Sequence, residues 1–194
     1  MSRKIEFRNL RLPTITLIGE GITEQHYFAH LRKMYNFRYT LKPYFFGTTS
    51  LLDMDRKISE VLDSGGFAVC VFDTDVSERI EAEKIKLNKL LNKYGKRRNV
   101  IFCSSLPSIE YWFLLHYQNT NKYFLDSAAV ERELKAFLQN YEKKTNFLEK
   151  EKWVADLCSE NKLETALERA KAFGEYGGSY SNIYKAFEKF REKL

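Results

Sequence analysis

The sequence has no run of about 18 apolar residues, so nothing in it reads as a membrane-spanning helix. Cysteine is scarce. Cys70, Cys103 and Cys158 are an odd set at wide spacing with no C-x-x-C pair. That pattern supplies neither a zinc knuckle nor a disulfide framework. Cys70 and Cys103 lie in apolar runs, where a free thiol behaves as a small hydrophobe. A reducing cytoplasm is the expectation. A G-x-x-x-x-G-K-[ST] loop is missing, so ATP hydrolysis would have to come from a partner. His26 and His30 are four apart, but no Glu follows the first, so there is no H-E-x-x-H zinc motif. His116 ends an apolar stretch and reads as a capping residue. No Ser-His-Asp order, internal repeat or low-complexity segment can be read. The opening MSRKIEFRNLRLP is basic but runs into no apolar region before a cleavage site, so it does not read as a secretory signal.

What is present suits one domain, or one domain with an extension. The chain has 194 residues, 44% of them hydrophobic, which is enough for a sizeable core. The formal charge of +6 favours a polyanionic partner only weakly. Thr14–Ile18, Tyr39–Phe46, Phe67–Phe72 and Asn99–Cys103 read as strands. Phe67–Phe72 is apolar throughout, as a strand covered on both faces should be. Amphipathic stretches lie between them. Thr23 offers a cap to the first, and Thr49 or Ser50 to the second. Ile80, Leu87, Leu90, Leu91 and Tyr94 form the stripe of the third, which Gly95 ends. Pro107 and Ser108 open a fourth, apolar nearly all round, over Ile109–Tyr117. Such alternation predicts an α/β fold: a mostly parallel sheet flanked by helices, over residues 1–125. From 126 to 194 the periodicity is helical only, which predicts a helical extension completing or packing on the same domain.

Ligand sites in parallel sheets form at the carboxyl ends of strands, and three such ends carry acids. The first reads Gly19-Glu20-Gly21-Ile22-Thr23-Glu24, the third Phe72-Asp73-Thr74-Asp75, and Glu110 follows the fourth. In extended backbone Asp73 and Asp75 would point to one side. Two neighbouring carboxylates repel, and Mg²⁺ (or Mn²⁺) relieves this with hard oxygen coordination and waters that a phosphate can replace. The plainer reading makes Asp73 a helix N-cap and Asp75 an exposed first-turn acid. Glu24 either joins the site or only complements a helix dipole. Glu20, between two glycines, has no such structural reason. Glu110, among apolar residues, needs a partner or a metal, or else caps first-turn amides behind Ser108. Lys93, Lys96, Arg97 and Arg98 are either a solvated turn or a nucleic-acid-binding phosphate contact. Gly177-Gly178-Ser179 reads as a phosphate-facing loop or a linker between helices.

Taken together, Ile18–Glu24, Phe72–Asp75 and the block Ser105-Leu106-Pro107-Ser108-Ile109-Glu110-Tyr111-Trp112-Phe113-Leu114-Leu115-His116-Tyr117 resemble the RloB-like family of phage-defence proteins. The resemblance runs through most of residues 14–190 and implies a Toprim-like fold with a metal-dependent phosphodiester site. On this resemblance Glu20 would be the acid/base or a metal ligand. Glu24 would be the second acid of an E-x-x-x-E arrangement like that of overcoming-lysogenization-defect nucleases. Asp73 and Asp75 would hold the metal, and Glu110 would match the glutamate of the third block. Leu106 and Ser108 depart from the Asn and Cys frequent there, and Gly178-Ser179-Tyr180 departs from the terminal motif around Ser181-Asn182-Ile183-Tyr184. The implied activity is a Mg²⁺-dependent nuclease acting on RNA or DNA in bacterial or archaeal phage defence, with abortive infection as its setting. An ABC- or AAA-type ATPase is the implied partner. The alternative is a sensor or effector-binding subunit of a defence complex, without turnover. A nucleotidyl-transfer role is disfavoured, since no zinc-binding or priming module accompanies the acids.

Overall fold

Alternation within the apolar runs decides which side of the sheet each residue covers. In the computed structural model, which describes residues 14–41, 50–175 and 177–192, Phe67, Val69 and Val71 enter one core while Ala68, Cys70 and Phe72 enter another. Their strand, β3 (Phe67–Asp73), is therefore packed on both faces and can be apolar at every position. It pairs in parallel with β1 (Ile15–Gly19) on one side and β4 (Val100–Leu106) on the other. The edge strand β2 (Tyr39–Leu41) joins β1, also in parallel. The sheet order is β2-β1-β3-β4-β5, a mixed α/β arrangement. The expected second strand is present over 39–41, and its stretch 42–46 lies outside the described residues, as do Thr49 and the N-terminal 13 residues.

Helices α2 (Leu51–Asp63) and α4 (Glu81–Tyr94) cover one face. Ser50 caps α2, its hydroxyl accepting from the Asp53 amide at 3.2 Å. The opposite face carries α1 (Ile22–Tyr35), through Tyr27, Phe28 and Leu31, and α5 (Ile109–Leu115), of which every residue is buried. Gly21, not Thr23, holds the cap position of α1. The expected helix after β3 is two helices. The chain leaves helical geometry at Ile80 (φ −118°, ψ 109°), giving a short α3 (Asp75–Arg79) before α4 and leaving Ile80 half exposed.

After residue 126 the chain forms α6 (Ser127–Leu134), α7 (Thr145–Leu148), α8 (Lys152–Cys158), α9 (Lys162–Phe173) and α10 (Tyr184–Arg191). Their apolar residues share one core with α1 and α5. Between α9 and α10 a two-residue strand, β5 (Tyr180–Ser181), returns antiparallel to the end of β4, and the Ser105 and Ser181 hydroxyls meet at 2.9 Å. The glycines before it lie in the stretch that joins α9 to α10, as the linker reading expects, and one of them is fixed by packing. A Cβ on Gly178 would lie 1.8 Å from the Asn121 carbonyl oxygen, so only glycine permits this backbone contact. Ser179 accepts from the Phe124 amide next to it.

Candidate functional site

Glu20 follows the last residue of β1, Asp73 is the last residue of β3, and Glu110 opens α5 just beyond β4. Because β1, β3 and β4 are neighbours and parallel, their carboxyl ends lie along one edge of the sheet, and all three acids are delivered there. Glu24, in the first turn of α1, joins them from above the same edge.

Fixed hydrogen bonds hold the arrangement. The Asp73 amide donates to Glu20 Oε2 at 2.9 Å. The Ile109 amide, an orphan donor of the first turn of α5, donates to Asp73 Oδ1 at 2.9 Å. Asp73 thus caps a helix, but it is α5 rather than the one that follows it in sequence. Among the described residues, one oxygen of Glu20 and one of Asp73 have no hydrogen-bond partner and remain for another ligand. Gly21 leaves room for Glu24 to fold back: a Cβ there would be 3.1 Å from Glu24 Oε2.

Glu110 is wholly buried, and both its oxygens are engaged. Tyr141 Oη donates to Oε1 at 2.6 Å, Ser108 Oγ donates to Oε2 at 2.6 Å, and Lys143 Nζ lies 3.0 Å from Oε2. Lys143 also reaches Glu131 at 3.0 Å. Ser108 does occupy the cap position of α5, but its hydroxyl serves Glu110 and no backbone amide.

The electrostatics follow from crowding. Burial pushes the Glu20 carboxyl above its usual range, and Asp75 adds to this. Burial, with Glu110 and Glu20 nearby, pushes Glu24 up to about 7. Asp73 is raised well above its usual value by burial first, then by Glu24, Glu110 and Glu20. Lys143 is the cation that counters Asp73 and Glu24.

Asp75 is set apart. Thr74 has helical rather than extended angles, so the i, i+2 alignment with Asp73 is lost, and Asp75 instead pairs with Arg79 at 2.5 Å. The basic cluster is further away. Lys93 is paired with Asp55, and Lys96, Arg97 and Arg98 are exposed just before β4 begins, at the opposite edge of the sheet from the acids. A seven-residue strand separates the two edges by about 20 Å. His26 and His30 form no joint site: their rings are 6.2 Å apart, and His30 Nε2 bonds the Leu148 carbonyl. His116 does occupy the C-cap of α5, its Nδ1 2.9 Å from the Trp112 carbonyl, while its Nε2 has no partner among the described residues.

Sequence reasoning missed Tyr141 and Lys143. They lie more than 30 residues from Glu110 in a polar loop, and only the fold brings them to it. The donor set of Glu20, Glu24 and Asp73 is all carboxylate oxygen with excess negative charge, the chemistry that suits Mg²⁺ or Mn²⁺. The acids crowd one edge without meeting at a point: among the described residues no three His, Cys, Asp or Glu side chains form a ready ligand set.

No curated protein and no solved structure matches this chain. The RloB-like protein family matches residues 15–189, from the first residue of β1 to within two residues of the end of α10. That span holds every acid described above, and the chain belongs to the RloB-like protein family.

Proposed function

We propose that this protein is a divalent-metal-dependent nuclease that hydrolyses nucleic acid phosphodiesters in phage defence. The observation that carries the proposal is the delivery of Glu20, Glu24 and Asp73 to one sheet edge, where Glu20 raises the proton affinity of Glu24 and both raise that of Asp73. Such crowding costs stability, and sites that retain it are most often functional. Glu20 and Asp73, each with an oxygen left over, are the residues that would hold Mg²⁺ or Mn²⁺, with Glu24 beside them. When bound, the ion supplies Lewis acidity to the phosphoryl oxygens and lowers the pKa of a coordinated water. Glu24, pushed up to about 7, can take a proton from an attacking water near neutral pH. Glu110 is held by Tyr141 and Lys143 and contributes field rather than contact. Lys143 keeps the emptied cluster from carrying its full negative charge.

A cleavage assay on single-stranded RNA, structured RNA and duplex DNA with Mg²⁺ or Mn²⁺ tests this. Glu20→Gln and Asp73→Asn should each lower turnover by a factor on the order of 10² or more, with binding of nucleic acid little changed. Wild type that cuts none of these substrates, yet binds them in a way that Glu20→Gln abolishes, would replace the nuclease with a sensor.

A further inference from the structure

The loop that follows α6, together with α7 and α8, encloses a cleft of about 380 Å³, within the usual range for a small-molecule site. Its walls carry Phe137, Phe147 and Trp153, and its rim carries Gln139, Asn140 and Lys150. A second hollow continues from it through Gln139, Asn140, Phe147 and Lys150 and reaches Tyr141. The far end of that tyrosine is the hydroxyl that donates to Glu110. The wholly buried Tyr141 thus links the end of this hollow to Glu110.

The chemistry of the cleft is that of an unpaired nucleotide. Phe137 is 45% exposed although it is large and apolar, and its ring lies parallel to Tyr117, with centroids 5.1 Å apart and planes 6° from each other. This is a two-ring stack already ordered, with Phe137 still open, on which a base can add a third plate. The Gln139 and Asn140 amides, both exposed, offer the paired donor and acceptor that match base edges. Lys150 makes no ion pair among the described residues and stands at the rim where a phosphate would lie, whereas Lys152 is engaged by Asp156 at 2.8 Å. Aromatic plates, amides and an unengaged cation together fit a base with its phosphate better than a wholly apolar or a wholly anionic ligand.

We infer that this cleft binds an unpaired nucleotide of a single-stranded nucleic acid, on the same strand as the phosphate that a metal ion at Glu20 and Asp73 would engage. The inference rests on the nuclease reading for the direction of the strand. The nucleotide cleft itself stands on its own residues.

The test reads binding in EDTA, where no metal-dependent cleavage occurs, by anisotropy of labelled twelve-residue oligo-U and oligo-dT. Wild type should bind. Phe137→Ala should weaken binding about tenfold, the scale of one lost base stack, and Lys150→Glu should weaken it by a similar factor that shrinks as salt rises. An oligonucleotide with abasic positions should bind wild type as weakly as the intact one binds Phe137→Ala. Both substitutions are at exposed positions, and unchanged thermal melting verifies the fold. Absence of binding by wild type, or binding that neither substitution weakens, overturns the inference. So does binding of a free mononucleotide that the oligonucleotides do not displace. If the two variants lose binding but no metal supports cleavage, the cleft stands and the nuclease falls. If Asp73-dependent cleavage is found and both variants keep wild-type binding and KM, the reverse holds.

Discussion

Glu24 is 4% exposed and has no full counter-charge, so its ionised form opposes folding. The sign follows from its proton affinity. Between its unfolded value of 4.5 and its folded value of about 7, the native chain holds a proton that the unfolded chain releases. Stability is greatest below that window and falls as pH rises through it. Glu24→Gln removes the dependence. The variant should match wild type near pH 4.5 and exceed it at pH 8.5 by at most about 3 kcal/mol, the 2.5-unit difference at 1.36 kcal/mol each. Urea melts at three pH values measure this, and equal pH profiles for the two proteins would remove Glu24 from the charged cluster. His116 works in the opposite direction. Burial lowers it to about 3, so its contribution is present above pH 6.5 and is lost as pH falls toward 3.

At the scale of elements, the polar loop between α6 and α7 matters more than its composition suggests. It supplies Tyr141 and Lys143 to a wholly buried Glu110. Lys143→Met leaves that carboxylate with hydroxyl donors only. The loss should be roughly 2–4 kcal/mol, toward the lower end because the ammonium is still partly open to water. Adding Glu110→Gln should recover most of it, since the charge without a partner is then gone. A double-mutant cycle by chemical denaturation decides, and additive losses would show that the pair is not coupled.

The same scale shows what could be read from the sequence. β1, β3 and β4 announced themselves as apolar runs, and the acids at their ends followed from the rule for parallel sheets. The cap of α2 was legible as Thr49 or Ser50, because a capping hydroxyl acts within three residues, and Ser50 holds the position. The break at Ile80 was not, since its apolar side chain continued the helical stripe although its backbone left it. β5 was hidden by its length of two residues, one of them serine. Asp75 was placed with Asp73 on the premise of extended backbone, and Thr74 ends that extension. Lys143 could not be found at all, because nothing local distinguishes it from the other lysines of its loop.

For the whole molecule, a cation at the acidic edge should act as a ligand that binds only the folded state. At a hundredfold excess over its Kd, Mg²⁺ would add about 2.7 kcal/mol. In a chain of this size that corresponds to roughly 5–10 °C in Tm. Calorimetric scans at pH 8 with EDTA, Mg²⁺ or Ca²⁺ should show the rise in wild type and its loss in Asp73→Asn. A rise of the same size in that variant would mean the ion acts elsewhere.

The late return of β5 to the side of β4 also fixes an order of events during synthesis. When a ribosome has made residues 1–179, β4 has its partner β3 on one side only, and its other margin is bare at the end where the acids gather. The two residues that pair with Ser105 and Leu106 at that end, and α10 behind them, emerge last among the described elements. A nascent or stalled chain therefore presents an open strand edge to its neighbours, the usual template for aggregation. Premature termination should yield insoluble fragments rather than a smaller working protein.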